Sequence, residues 1–302
     1  MKQLVFRDEN LSNFFKEKGI LRKKCICCNS SNNSIWTEIF NGKVKFLVCK
    51  KCGFIWSSPI CSSKNLNRYY DNYITKRRLS HEKKMKLRDL QYDQDVTFIT
   101  KTIKSGKFLD IGCNGGFFLS KFPKKIKKYG IDIDKKAIYF GKKKFNFGKN
   151  LIHGSFLKKR YKNQFFDGVI LRGTIEHLID PEIFLKRISK ILKKNGSLFI
   201  LATPNSDCIS AKLFKEDWTL FHPIQHISHF DSNNISIMAK RSGLILNRVE
   251  YPYLGTPYEN FVKDSINLVF CLLKKIVKSR KKDFLNSPPF FKNMMSLEFK
   301  KI

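Results

Sequence analysis

The stretch Phe108–Leu119, FLDIGCNGGFFL, decides the fold. It opens with a short apolar strand, Phe108–Ile111, carrying a carboxylate at Asp110. It continues through the glycine turn Gly112–Gly116 and enters a helix at Phe117. Two familiar glycine loops are excluded. A dinucleotide fingerprint, G-x-G-x-x-G, needs glycine at 114 and 117, where Asn114 and Phe117 stand. A phosphate-cradling P-loop needs Gly-Lys-Ser/Thr, which is absent. What remains is D-x-G-x-N-x-G, followed by a second carboxylate, Asp132, 22 residues after Asp110 at the end of the next strand. That position suits a ribose whose two hydroxyls both donate hydrogen bonds. Asn114 is compatible with the turn, because asparagine tolerates left-handed backbone.

Outward from this loop, short apolar strands alternate with basic helices. Strands are expected at Tyr129–Ile133, Leu151–His153, Gly168–Leu171 and Ser197–Ala202. Helices are expected from Lys135 through Lys144 and over Pro181–Lys194, with Pro181 near a start and Asn195-Gly196 at an end. The pattern predicts an α/β fold, a doubly wound, Rossmann-like parallel sheet with ligands at the carboxyl ends of its strands. Leu244–Tyr251 and Asn293–Lys301 read as an antiparallel pair at the sheet edge. Asp134 reads as the N-cap of the helix after the second strand, leaving Asp132 for a ligand.

The N-terminal region carries different chemistry. Cys25 and Cys28, then Cys49 and Cys52, form two C-x2-C pairs separated by 20 residues. Such turns aim four thiolates at one tetrahedral Zn²⁺, in a closed and therefore structural site. Gly53 suits the turn of the second knuckle, and Val44–Val48 and Phe54–Ser57 read as its flanking strands. Cys27 is a possible substitute within the first pair, and Cys61 reads as a buried, idle thiol. The resulting division is a zinc-ribbon module over 1–62, a helical linker over 63–104, and an α/β domain over 105–302 with a helical insertion at about 255–287. In the linker, apolar residues at Leu87, Leu90, Val96, Ile99 and Ile103 follow a helical period. Tyr69, Tyr70 and Tyr73 read as packing residues.

The chain has 302 residues, with 59 Lys+Arg against 25 Asp+Glu, a net charge of +34. This excess invites a nucleic-acid or anionic-membrane reading. Its make-up argues otherwise: 47 Lys but 12 Arg, with 28 Phe, 22 Asn and 4 Ala, match A/T-rich codons. Biased composition therefore accounts for most of the charge. No secretory signal or 18-residue apolar stretch is visible, and clustered cysteines suit a reducing compartment, so a cytoplasmic location is expected.

At this point the sequence resembles the class I S-adenosylmethionine-dependent methyltransferases. FLDIGCNGGFFL is similar to their first motif and YGIDIDKKAI (Tyr129–Ile138) to their second. GTIEHLIDP (Gly173–Pro181) and LFILATPN (Leu198–Asn205) are similar to later ones. Trp218 with HPIQHISHFD (His222–Asp231), and PPFFKNMM (Pro288–Met295), extend the match. Together with the knuckles, CGFIWSSP (Cys52–Pro59) and RYYDNY, the layout resembles a zinc-ribbon branch associated with sugar and surface-polysaccharide modification. The resemblance implies that Asp110, Gly112 and Gly116 shape the methionine and ribose end of an S-adenosylmethionine pocket. It also implies that Asp132 holds the ribose and that Ser155 and Phe156 border the adenine. An acidic residue more often stands where this chain has Ser155.

An oxygen or amine acceptor benefits from a general base, most often histidine. His177 beside Glu176 is the first candidate for base or orienter, and His226 and His229 are the second; His222 lies in the same segment. Glu176-His177 with His226 or His229 also resembles a metal site of methyltransferases acting on RNA or quinone-precursor hydroxyls. The further glutamate of that site is replaced here by Gly173, so only structural zinc is expected. The expected activity is methyl transfer to a small molecule, a sugar or glycan. An RNA acceptor and a catalytically silent zinc-ribbon scaffold are the alternatives. The segment 260–282 joins an apolar core, Ile266–Leu273, to the cations Lys274, Lys275, Lys278, Arg280, Lys281 and Lys282. A lid, a dimer contact and a peripheral membrane contact are all consistent with it.

Overall fold

The computed structural model describes residues 19–62, 64–66, 82–256, 259–276 and 292–302. Tyr69, Tyr70 and Tyr73, the cations beyond Ile276, and residues 288–291 lie outside them. The chain divides into two compact units. One comprises Met1–Glu82, Pro204–Asn234 and Tyr251–Met294; the other comprises Lys83–Thr203, Ile235–Glu250 and Met295–Ile302.

The first unit is built on a four-stranded sheet. Its strands are β1 (Asn33–Ile39), β2 (Val44–Cys49), β3 (Ile55–Ser58) and, far along the chain, β9 (Ser228–His229), in that spatial order. All pairings are antiparallel, with Ile55 opposite His229 and Trp56 opposite Ser228. Val44 and Phe46 of β2 and Ile55 of β3 pack with Cys208, Ala211, Phe214, Trp218 and Phe221 into one core. Ala211 and Phe214 belong to the helix α5 (Ile209–Phe214), and Cys271 to the helix α7 (Phe261–Ile276), which packs on the same core. The Trp218 indole donates to Asn293 Oδ1 at 2.6 Å, and Asn205 Nδ2 donates to the carbonyl of Lys292 at 2.9 Å. Cys61 is buried, as its lone position suggests.

The second unit contains the predicted doubly wound sheet. Its strands are β4 (Gly106–Ile111), β5 (Ile126–Asp132), β6 (Leu151–His153), β7 (Phe166–Arg172), β8 (Leu192–Pro204), β10 (Leu244–Glu250) and β11 (Met294–Lys301). The order is β10-β11-β8-β7-β4-β5-β6, and the β6-to-β8 stretch is parallel throughout. The central strand β4 is buried from Phe108 to Ile111, which explains its unbroken apolar run. The helix α1 (Glu82–Thr100) contributes Phe98 and Ile99 to the core, with Val96, Tyr92 and Ile103 packed against it. Leu90, expected on that face, is exposed.

Two strand readings are corrected. The helix α4 (Pro181–Ile191) ends before Lys194, because Leu192 is fully buried and pairs with Phe166. Asn195, with φ of 61°, and Gly196 instead form a kink within β8. β11 pairs antiparallel with β10 as expected, yet it is an inner strand and β10 is the edge. Its buried Glu298 explains why a charged residue is tolerated there. That carboxylate accepts from Ser197 Oγ at 2.8 Å, Thr102 Oγ1 at 2.8 Å and Asn247 Nδ2 at 3.1 Å. Burial pushes its pKa up, but these donors outweigh it and hold the group below the ordinary glutamate value.

The helix α3 (Lys135–Lys144) sets the height of the glycine turn. Asp134 caps it, accepting from the N–H groups of Lys136 and Ala137. A Cβ built on Gly141 would stand 2.2 Å from the carbonyl oxygen of Gly115, so helix and loop meet backbone to backbone. Gly141→Ala is therefore expected to lift α3 from the turn and to cost about 1–3 kcal/mol in chemical denaturation. Affinity for a methyl donor should fall in parallel; unchanged stability would contradict this contact.

Candidate functional site

The site begins where β4 and β5 end side by side. Gly112, Asn114 and Gly116 take φ values of 81°, 55° and 75°, so the turn uses left-handed backbone three times. Asn114 accommodates this and accepts from the Gly115 N–H through its own Oδ1 at 2.6 Å. At Gly112, a Cβ would press on Thr174 Oγ1 at 2.8 Å, and at Gly116 on the Phe147 ring at 2.6 Å. Side chains at these positions would fill space that the loop needs.

Asp132 fastens the turn to the neighbouring strand. Its Oδ2 accepts from the Asn114 N–H at 2.7 Å and its Oδ1 from the Asp134 N–H at 2.8 Å. These two donors fix the orientation of the carboxylate. Each of its oxygens has two acceptor positions, so both can also receive a ribose hydroxyl.

Asp110 is buried, and its Oδ1 has no hydrogen-bond partner among the described residues. Burial raises its pKa to about 7; Arg172 opposes this and Asp132 adds to it. A buried carboxylate oxygen without a partner, next to a turn shaped by glycines, fits the ammonium end of an S-adenosylmethionine donor. The donor would supply an activated methyl on a sulfonium, while this chain supplies two carboxylates and a narrow backbone turn to position it.

Ser155 and Phe156 follow β6. Ser155 is half-buried, and its carbonyl accepts from the N–H groups of Lys158 and Lys159. Phe156 is buried, 6.1 Å from the ring of Tyr161 and 5.5 Å from that of Phe184. A cavity of about 500 Å³ lies beside this aromatic group, lined in part by Leu157, Arg160, Tyr161, Lys186, Arg187 and Lys190. It shares no residue with the glycine turn.

After β7 the chain forms a short 3-10 turn, Ile175–His177. Glu176 is buried, and burial raises its pKa to about 7 against the hydrogen bond from Thr203. Thr203 Oγ1 donates to its Oε2 at 3.3 Å. His177 is partly exposed, with Nε2 3.9 Å from Glu176 Oε1. Arg172, not singled out from sequence, ends β7 and donates through Nε to Asp95 Oδ2 at 2.7 Å, with its guanidinium over the Tyr92 ring. Its field acts on both Asp110 and Glu176. The only sequence hint was a cation directly following a buried apolar strand.

The other candidate histidines belong to the first unit. His226 Nδ1 donates to the Leu220 carbonyl at 2.8 Å, which leaves the lone pair on Nε2. The His222 ring lies 4.7 Å from that of His226. His229 is fully buried on β9, its ring stacked on Phe221 at 5.5 Å and close to Trp36, Phe46 and Trp218. Neither ring nitrogen has a hydrogen-bond partner among the described residues, and burial lowers its pKa to about 3, so the imidazole is neutral. Its surroundings resemble a core aromatic more than a proton acceptor.

The cysteine knuckles converge. The sulfurs of Cys25, Cys28, Cys49 and Cys52 all lie within 4.8 Å of one another. Cys25 and Cys52 are 3.5 Å apart, as are Cys28 and Cys49. Four thiolates at zinc–sulfur distances of about 2.3 Å would stand about 3.8 Å apart, so the donor set fits a tetrahedral Zn²⁺. Hydrogen bonds from Cys27 and Cys52 pull the Cys25 pKa well below that of an ordinary thiol. Gly53 takes φ of 77° at the second knuckle.

This strand order and the paired carboxylates at the ends of β4 and β5 define a class I methyltransferase domain. Residues 84–247 match the family model described as "Methyltransferase domain", and the chain belongs to that family. A ubiquinone biosynthesis O-methyltransferase of Pelagibacter ubique is 35% identical over 106 residues, 33% of this chain and 43% of that one. A small RNA 2'-O-methyltransferase of Tetrahymena thermophila is 35% identical over 94 residues, 30% of this chain and 22% of that one. The chain thus spans less than half the length of either relative. In fold it is similar to the Burkholderia thailandensis 1,6-didemethyltoxoflavin-N1-methyltransferase, solved with 1,6-didemethyltoxoflavin and S-adenosylhomocysteine. The TM-score is 0.52 at 11% identity, over 89% of this chain and 99% of that one.

Two measurements address the donor and zinc sites. In calorimetry, S-adenosylmethionine affinity should rise with pH toward about 7 and then level off, because a cationic ligand favours ionised Asp110 and expels its proton. Asp110→Asn should flatten that dependence. Asp132→Ala should weaken binding roughly 10- to 100-fold, the range expected for lost charge-assisted hydrogen bonds. Purified protein should contain one zinc per chain by elemental analysis. Cys49→Ser or a strong chelator should lower Tm by more than about 5 °C.

Proposed function

We propose that the protein transfers a methyl group from S-adenosylmethionine to an oxygen or nitrogen of a small-molecule acceptor, a sugar or glycan precursor. The observation that carries the donor half of this reading is the pair Asp110 and Asp132 at adjacent strand ends around a left-handed glycine turn. Gly112 and Gly116 keep the turn thin, Asp132 receives the ribose, and Ser155 and Phe156 border the adenine. In this reading the four knuckle cysteines hold a structural Zn²⁺.

In-line displacement at a sulfonium releases a neutral thioether, so positioning supplies much of the rate. The acceptor proton still needs a destination. His177 is proposed as the base: Glu176, in its ionised form and 3.9 Å from Nε2, favours the ring proton on that nitrogen and leaves the lone pair on Nδ1 for the acceptor proton. His226 is the second candidate, since its Nδ1–H is already committed to a carbonyl and its Nε2 carries the lone pair. His229 would act by packing the wall of its segment.

The test is radiolabelled methyl transfer into a panel of nucleotide-sugars, glycans and RNA. Label in a sugar or glycan supports the reading, and donor binding without label anywhere on the panel contradicts it. His177→Ala should then reduce kcat by about 10²- to 10⁴-fold while donor affinity holds, as removal of a general base predicts.

An RNA acceptor is the second reading. The cations Arg160, Lys186, Arg187 and Lys190 around the cavity beside Tyr161 favour it, a basic cluster next to an aromatic ring. RNA affinity that falls steeply with salt, together with label in RNA, would promote it over the glycan reading.

A further inference from the structure

The cavity of about 500 Å³ beside Tyr161 lies between α4 and the segment that follows β6. Ile183, Lys186, Arg187 and Lys190 stand at i, i+3, i+4 and i+7 of α4, so one helix face supplies a wall. Leu157, Arg160 and Tyr161 supply another. Arg187 joins the two. Its Nη1 donates to the carbonyl of Leu157 at 2.8 Å and its Nη2 to that of Lys159, with the guanidinium 5.4 Å from the centre of the Phe156 ring. These carbonyls hold the side chain in place without a formal charge of their own, so no carboxylate balances the guanidinium. Arg160 and Lys190 likewise form no ion pair among the described residues. Glu182 is shared between Lys186 and Arg241, each at 3.0 Å.

Two donors in these walls also lack acceptors. The Tyr161 hydroxyl and Arg187 Nε are buried, and neither has a hydrogen-bond partner among the described residues. Burial pushes the Tyr161 pKa up, so the hydroxyl keeps its proton and is free to donate it. Buried donors are nearly always paired in folded proteins, so two in the walls of one cavity mark a place where an acceptor belongs. The walls thus combine donors and uncompensated positive charge with apolar surface from Leu157 and Ile183. That set matches an anion rich in oxygen on a small organic body. A carboxylate offers two acceptor oxygens and one charge, whereas a phosphate monoester offers three and roughly two charges. The volume is that of a small-molecule site rather than of a groove that tracks a strand. We propose that this cavity is a second binding site, separate from the donor pocket, that holds the phosphate group of a small molecule through Arg160, Arg187, Lys190 and Tyr161. The inference does not rest on which acceptor is methylated.

Calorimetry on the full chain at constant ionic strength tests it, with glycerol 3-phosphate and inorganic phosphate as probes. Each should bind once per chain with a Kd below about 1 mM, and the two should compete. Arg160→Ala with Lys190→Ala should weaken both by about tenfold or more while Tm holds. Tyr161→Phe should weaken both by about two- to tenfold, again with Tm unchanged, since the hydroxyl has no partner in the fold to lose. The proposal is overturned if neither probe binds below that Kd, or if the double variant binds them like the parent. Displacement of glycerol 3-phosphate by S-adenosylhomocysteine would place the probe in the donor pocket and overturn it as well. So would displacement by an oligouridylate without a terminal phosphate, which would make the cavity part of a path for an RNA strand.

Discussion

The carboxylate of Asp132 is the fastening on which the donor side of the molecule depends. By accepting from the N–H groups of Asn114 and Asp134, it ties the loop after one strand to the loop after the next. That bond works only because the intervening turn is left-handed at three positions, and because α3 approaches Gly115 with no side chain between them. Each part answers a constraint set by another. The glycines permit the turn, the turn presents its N–H group, and the carboxylate receives it. Neighbouring Asp110 shows the opposite arrangement, a buried carboxylate whose Oδ1 has no hydrogen-bond partner among the described residues. One acid is thus fixed by protein donors, and the other keeps an oxygen without one.

Much of this was legible in the sequence because it is local. Strand β4, its glycine turn and Asp132 lie within about 25 residues, and the period of apolar residues marks each element. Asp134 as a cap followed from its place just ahead of a helix, and the knuckle cysteines announced themselves by spacing. The parts that were not legible depend on distant partners. The early end of α4 is imposed by the pairing of Leu192 with Phe166. The inner position of β11 shows only in its burial on both faces, including a glutamate satisfied by Ser197, Thr102 and Asn247. Composition gives no sign that Glu298 is a structural acceptor.

The histidines illustrate the same limit on the side of chemistry. From sequence, His226 and His229 are equivalent, three residues apart in one segment. The structure separates them. One has a ring nitrogen committed to a carbonyl, and the other lies among aromatic rings with no hydrogen-bond partner for either nitrogen among the described residues. Residue type sets which chemistry is available, whereas burial decides which of two identical side chains can use it. Arg172 was overlooked for the converse reason. Its charge looked like one more cation in a basic chain until its contact with Asp95 and its field on two buried acids became visible.

The pairing of β3 with β9 has a consequence for the order of assembly. Trp56 finds its strand partner in Ser228, so the ribbon's sheet is completed by a segment that a ribosome adds much later. The two knuckles, by contrast, are close together in the chain, and a metal ion held by their four cysteines would join them before β9 is made. The outer side of β3 thus stays open until the intervening α/β strands have been made. During that interval Trp56 and Ile55 present an unpaired edge, the kind of surface that nascent-chain chaperones shield.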